Sequence, residues 1–197
     1  MVLTDEIWKL AMNESNRKQR FQTTVMPHIN SAFNLARWLT RGNQEAEDIV
    51  QEAYLRAYKF FDSFHGEDGR VWLLGIVRNT FYTWHHQNKL QTQFVEFDEE
   101  LHGSEANENL RDDEYNPENI LIQKDNQRII QNALNQLPIE FREVMVMREL
   151  EELSYKQIAE ITQVPMGTVM SRLGRGRKQL ATLLHSGINN GGGHNEP

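Results

Sequence analysis

The chain has 197 residues, 39% hydrophobic and 25% charged, with a formal net charge of −7, which is enough apolar material for a real core or two small ones. It has no cysteine, which excludes disulfides, thiol catalysis and Cys-ligated zinc or iron–sulfur sites. The longest apolar run, Val71 to Val77 with Gly75 counted in, is far short of the ~20 residues that span a bilayer. The Met-Val-Leu-Thr-Asp-Glu start has no basic segment leading into an apolar one, so a cytoplasmic protein without membrane insertion is expected.

Charge is unevenly placed. Residues 1–90 carry net +1, residues 91–126 carry −9 and residues 127–197 carry +1. Glu96 to Asn116 is rich in Glu, Asp, Asn and Gly, so it cannot bury enough surface to offset its ordering entropy. The expected organisation is a first domain over 1–90, a flexible acidic linker over 91–115, a second domain over 116–186 and a disordered tail over 187–197. The linker's charge repels DNA and suits a basic groove, or serves only solubility.

Helical periodicity dominates, and the only alternating run is the short Phe94-Val95-Glu96-Phe97. Ala46, Ile49, Val50, Ala53, Ala57 and Phe60/Phe61 form one apolar stripe, with Gly42-Asn43 ending the preceding helix and starting this one. The opposite face carries Asp48, Gln51, Glu52 and Leu55; a leucine among acids and amides suits a partner-binding face, although spacing alone favours a solvated one. The loop Asp62 to Gly69 reads as a surface turn or as a pocket for an extruded base. Leu73, Ile76, Val77, Thr80, Phe81 and Trp84 make the next stripe, with Trp72 and Trp84 expected in the core. On the same helix Arg78, Tyr82, His85 and Lys89 recur at i, i+4, i+7 and i+11; cations that track phosphates beside aromatics that stack on bases suit single-stranded DNA.

In the second domain Asn116-Pro117 reads as an N-cap followed by proline at the first helical position. Ile130, Ala133, Leu134 and Leu137 keep helical spacing until Pro138, and Phe141, Val144 and Met145 mark the next helix. Ser154-Tyr155-Lys156-Gln157 fits a capping box that opens a short helix to about Thr162. Gln163-Val164-Pro165 breaks the pattern, and a longer helix continues towards Leu184. Its inner stripe is Val169, Leu173, Leu180 and Leu184, and its other stripe is Thr168, Ser171, Arg172 and Arg175. A capped short helix, a tight turn and a longer helix with a hydroxyl and arginine face is a helix-turn-helix suited to the major groove. A helical hairpin with a solvated basic face fits the same spacing, and the excess of Arg172, Arg175, Arg177 and Lys178 over acids favours DNA.

From about Phe21 to Leu184 these segments together resemble an extracytoplasmic-function (ECF) sigma factor of the sigma-70 family of RNA polymerase sigma factors. Glu45-Ala46-Glu47-Asp48-Ile49-Val50-Gln51-Glu52-Ala53-Tyr54 looks like the segment of region 2 that grips the polymerase. Val71-Trp72-Leu73-Leu74-Gly75-Ile76-Val77-Arg78-Asn79-Thr80 looks like the promoter-melting segment. Asn116-Pro117-Glu118, Leu137-Pro138 and Phe141-Arg142 match region 4, and Gly167-Thr168-Val169-Met170-Ser171-Arg172-Leu173 with Arg175-Gly176-Arg177 resembles its recognition helix. The resemblance implies an all-α chain of two small helical domains, region 2-like and region 4-like, and a function in promoter-specific transcription initiation.

It further implies that Asp48, Gln51, Glu52 and Leu55 bind the coiled coil on the β′ clamp of core RNA polymerase. Arg78, Asn79, Tyr82, His85 and Lys89 would serve promoter melting and the minus-10 element; Thr168, Ser171, Arg172, Arg175, Arg177 and Lys178 would bind minus-35 DNA. Of these, Arg172 is expected to read bases and Arg175 to contact phosphate. An anti-sigma factor is a further implied partner. Two departures stand out. Gln163 occupies a turn position where many members have glycine, so another bend conformation is expected, and Thr83 and His86 leave the melting helix less basic than usual.

Enzymatic readings lack support. No two of the seven histidines stand at i, i+3 or i+4, and there is no HExxH, Walker loop or GxSxG. Asp112-Asp113-Glu114 reads as solvated linker rather than a cation site. No catalytic residue, metal or cofactor is expected. The rival readings are an ordinary helix-turn-helix repressor or activator and a helical adaptor without DNA binding.

Overall fold

A computed structural model describes residues 14–94 and 128–191, with side chains over 14–89 and 128–186. The expected acidic linker beyond Phe94, the Asn116-Pro117 helix start and residues 192–197 lie outside the described residues. Among the described residues every regular element is helical, and the chain divides into two compact units with the main boundary after Val95.

The first unit holds α1 (14–24), a 3-10 turn at Met26–His28, α2 (Ile29–Thr40), α3 (Asn43–Phe60), a 3-10 turn at Phe61–Ser63 and α4 (Gly69–Phe94). Helices α2, α3 and α4 pack pairwise. Small side chains make this possible: Ala32, Ala36, Ala46, Ala53 and Ala57 are fully buried, and Leu35, Leu39, Leu73, Leu74, Val77 and Phe81 fill the space between them. The expected α3 stripe is buried except for Phe60, which is 54% exposed because the helix ends there and the next buried ring is Phe61. Trp72 and Trp84 are half-buried rather than core, and Ile76 joins them.

The turn between α2 and α3 differs from expectation. Arg41, not Gly42, takes the left-handed conformation (φ 68°), and its N–H closes on the Arg37 carbonyl at 3.0 Å. Gly42 is extended at the N-cap, and a Cβ there would overlap the Glu45 carboxylate folded back over the helix start. Asp68 caps α4: its Oδ1 accepts from the N–H groups of Arg70 and Val71 at 3.0 and 3.1 Å. Arg17 of α1 closes the other end of α3, donating to the Tyr58 carbonyl at 2.6 Å and to Asp62 Oδ1 at 3.0 Å. Phe21 then packs edge-on against Tyr58 and Phe61, with centroids 5.1 and 5.3 Å away. Helix α4 runs past the expected domain end at residue 90, to Phe94.

After the first unit come α5 (128–136), α6 (Ile139–Met145), a π-helical turn at Val146–Leu150, α7 (Tyr155–Thr162) and α8 (Met166–Gly191), which make up the second unit apart from Glu160–Gln163. Pro138 separates α5 from α6 as expected. Ala133, Leu134 and Leu137 are buried, whereas Ile130 is 46% exposed. The capping box forms: the Ser154 N–H donates to Gln157 Oε1 at 2.9 Å, and the Gln157 N–H donates to Ser154 Oγ at 3.2 Å. Gln163 itself takes the left-handed conformation (φ 55°), so the bend keeps the backbone shape that glycine would adopt, with strain. Helix α8 continues beyond Leu184 to Gly191, so residues 187–191 extend a helix and are not the disordered tail expected.

Candidate polymerase-binding and nucleic-acid interfaces

On α3, Asp48, Gln51, Glu52 and Leu55 are all exposed, on the face opposite Ala46, Ile49, Val50, Ala53 and Ala57. Leu55 is 68% exposed, the largest value among the large apolar side chains of the described residues. Glu52 Oε1 accepts from Arg56 Nε at 2.7 Å, an i,i+4 pair that holds the carboxylate beside the leucine. The pair is worth little to folding because both members are solvated. A partner that covers Leu55 therefore gains apolar burial, and Asp48 and Glu52 favour a partner with cations around it.

On α4 the expected row is continuous. The Arg78 guanidinium carbon lies 4.5 Å from the Tyr82 ring centre. Tyr82 and His85 both rest on the buried Phe81 ring, edge-on at 5.3 Å and stacked at 5.5 Å respectively. Asn79, His85 and Lys89 are exposed, and Arg78 and Tyr82 are half-buried. The row is thus a cation–aromatic ledge whose rings are held in place by a core residue. The loop before α4 is pinned as well. The Phe64 ring centre is 4.9 Å from that of Trp72 and stacks on Phe61 at 6.1 Å, and His65 Nδ1 is 2.8 Å from the Ser63 carbonyl oxygen. At its base, burial and the nearby Arg70 hold the His28 imidazole below its usual pKa, and Asp68 opposes them.

The helix-turn-helix is built on α7 and α8. Val169 and Leu173 are buried, Leu180 and Leu184 half-buried. Gly176 is where α8 runs directly against α6: a Cβ there would stand 3.1 Å from Met145 Cγ and 3.4 Å from Phe141 Cβ. Ser171, Arg175 and Lys178 are exposed and Thr168 is half-buried on the outer arc. Arg175 and Lys178 have no carboxylate partner within ion-pair distance among the described residues.

Arg172 and Arg177, expected beside them at DNA, each pair with a glutamate of the same domain. Arg172 Nη1 donates to Glu143 Oε1 at 3.2 Å, and the Glu143 side chain is completely buried. Arg177 donates to Glu149 Oε1 through Nε at 3.1 Å and Nη2 at 2.7 Å. That hydrogen bond raises the Arg177 pKa above its usual value, with a smaller contribution from Tyr155. The Arg148 guanidinium stacks over the same Tyr155 ring at 5.3 Å. Periodicity does not single out the two glutamates, because Glu143 sits inside an apolar-periodic run and Glu149 lies within the π turn, which shifts helical register. Met166 and Met170, each 52% exposed on α8, were likewise not singled out.

The family model for sigma-70 region 2 matches residues 24–90, and that for sigma-70 region 4 matches residues 127–180. The ECF RNA polymerase sigma-E factor of Haemophilus influenzae is 31% identical over 185 residues, covering 92% of this chain and 96% of the relative. The ECF RNA polymerase sigma-E factor of Escherichia coli K12 is 30% identical over 181 residues, covering 90% and 93%. Among solved structures, the sigma factor RpoE of Bartonella quintana, in complex with the anti-sigma factor NepR, superposes with a TM-score of 0.68 at 26% identity, over 85% of this chain and 98% of that one. CnrH, in complex with the cytosolic domain of CnrY, shares the fold with a TM-score of 0.58 at 20% identity, over 89% and 94%. The two matched regions lie in the two units that carry the α3, α4 and α8 surfaces, and the chain belongs to the sigma-70 family, among the ECF RNA polymerase sigma factors.

Proposed function

We propose that the chain binds core RNA polymerase through Asp48, Gln51, Glu52 and Leu55 of α3, assists promoter opening through Arg78, Asn79, Tyr82, His85 and Lys89 of α4, and reads the upstream element through α8. The observation that carries this reading is the outer arc of α8, where Thr168, Ser171, Arg175 and Lys178 follow a capped short helix and a tight turn. The hydroxyls can bond base edges, and the unpaired Arg175 and Lys178 can meet phosphate. The α3 face has the chemistry for a basic, partly apolar coiled coil on the polymerase β′ clamp. On α4, rings braced from below can stack on bases once these are unpaired.

The polymerase supplies the catalysis and this chain supplies recognition, with no catalytic residue, metal or cofactor of its own. Among the described residues no helix is long and apolar enough to cross a membrane. A role at promoters implies a cytoplasmic protein. We assign the region 2-like domain through Phe94, where α4 ends, and the region 4-like domain to the chain containing α5–α8. Because the Bartonella quintana relative was solved with an anti-sigma factor, we extend a partner of that kind to this chain. Run-off transcription tests the reading: the full chain added to core polymerase on a selected promoter library should give discrete transcripts. DNA binding without polymerase-dependent transcripts would instead support an ordinary helix-turn-helix repressor.

A further inference from the structure

We propose that Arg172 and Arg177 are positioning residues that clamp the recognition helix from its two flanks, leaving Arg175 and Lys178 as the cations of α8 that meet DNA. This rests on the DNA-reading role given to α8 above. At about 100° per residue, two positions five apart lie about 140° from one another around the helix. The inner arc between Arg172 and Arg177 holds Val169, Leu173 and Gly176, all buried, and the outer arc holds Thr168, Ser171, Arg175 and Lys178. Each arginine thus stands on a shoulder of the helix, where its long side chain reaches back to the body of the domain.

The partners make the two clamps different. Glu143 is completely buried on α6, and Arg172 lies 3.2 Å from it. If Arg172 swung out to a base, the completely buried Glu143 carboxylate would lose this cationic contact, which is unfavourable. The guanidinium therefore stays on the protein side when DNA arrives. Arg177 makes two N–H bonds to Glu149 of the π turn, in a half-exposed pair. A phosphate approaching that shoulder meets a neutral pair instead of a free cation. Tyr155, the first residue of α7, is stacked by Arg148 of the same turn. The outer clamp thus ties α8 to the turn that also holds the start of α7, and the angle of the recognition helix depends on it.

The consequence is quantitative. With phosphate contacts from Arg175 and Lys178 only, α8 contributes about two counterions to the salt dependence of binding and not four. The test uses holoenzyme assembled from the full chain and core polymerase, bound to a duplex selected by the unsubstituted holoenzyme and to a scrambled duplex. Occupancy is measured against potassium chloride concentration. R175A should lower the salt slope by about one. R177E should lower the preference for the selected duplex, and the charge swap E149R/R177E should restore it to within about twofold, as expected for directly coupled neighbours. E143Q, remote from the outer arc, should lower the preference while leaving the slope unchanged.

If the swap stays as defective as R177E, position 177 needs its own positive charge at DNA and the outer clamp is wrong. If R172A lowers the slope by about one while E143Q binds normally, Arg172 is a DNA contact and the inner clamp is wrong. Thermal unfolding by circular dichroism accompanies each variant. Should E143Q fail to fold, R172Q decides the inner clamp: it removes the cation beside Glu143, so an unchanged slope with reduced preference supports positioning, and a slope lowered by about one overturns it. An R175A chain with unaltered slope and affinity would remove α8 from the DNA altogether, a failure of the reading itself and separable from failure of the clamps.

Discussion

Gly69 opens α4 directly beneath the carbonyl oxygen of Thr24, the last residue of α1, so closely that a Cβ on Gly69 would collide with that oxygen and with the Thr24 methyl. The contact brings the start of α4 against the end of α1, and Asp68 caps the helix in the same place. Gly69→Ala should therefore destabilise the first unit by about 1–3 kcal/mol, the usual cost of overpacking. Asp68→Ala should cost about 1 kcal/mol through the lost cap. Urea unfolding of the full chain, followed by circular dichroism, measures both. A neutral Gly69→Ala would mean that α1 yields without cost.

At Gln163 the strain runs the other way. A side chain held at φ 55° costs energy that glycine does not, while glycine loses more entropy on folding. Gln163→Gly should stabilise the chain by roughly 0.5–1 kcal/mol and leave promoter selectivity unchanged. Thermal unfolding checks the first part and transcription from the selected library the second. A destabilised variant would show that the Gln163 side chain has a role the turn geometry does not reveal.

The role proposed for the α4 ledge separates two steps of initiation. Arg78→Ala, Tyr82→Ala and Lys89→Ala should slow open-complex formation more than closed-complex binding, since stacking at about 1–3 kcal/mol per base requires unpaired bases. Tyr82→Phe should retain most activity, because Arg78 stacks on the ring face at 4.5 Å. Permanganate footprinting reports opening, and filter binding reports closed-complex affinity. Equal losses in both would reduce the ledge to a duplex contact.

His28 gives the first unit a pH dependence of known sign. Burial, the largest influence, and Arg70 lower its pKa in the folded state, below the ordinary value of 6.5. The native state then resists protonation while the unfolded chain takes up a proton, so stability is highest above pH 6.5 and falls as pH drops from there towards the folded pKa. His28→Asn should flatten part of the slope of melting temperature against pH below 6.5. An unchanged slope would assign the acid sensitivity to other groups.

Much of this protein is legible in its sequence because amphipathic helices announce themselves through spacing. The α3 stripe fixes which way that helix faces, so Asp48, Gln51, Glu52 and Leu55 emerge on one exposed side as the periodicity requires. The capping box at Ser154 and Gln157 is local chemistry, and it forms where the four residues predict. The recognition helix is read in the same way, down to its buried Val169 and Leu173. What spacing cannot supply is the partner of a long side chain. Arg172 lies on the same periodic stripe as Arg175, yet tertiary packing brings a buried carboxylate from 29 residues away to one and not the other. The π turn likewise rotates Glu149 towards Arg177, a change of register that no periodic pattern encodes. Sequence determined the helices and their faces, because those follow from local geometry and the burial of apolar stripes. Tertiary structure alone decided which cations of α8 pair with carboxylates, because ion pairing depends on distances between helices that are far apart along the chain.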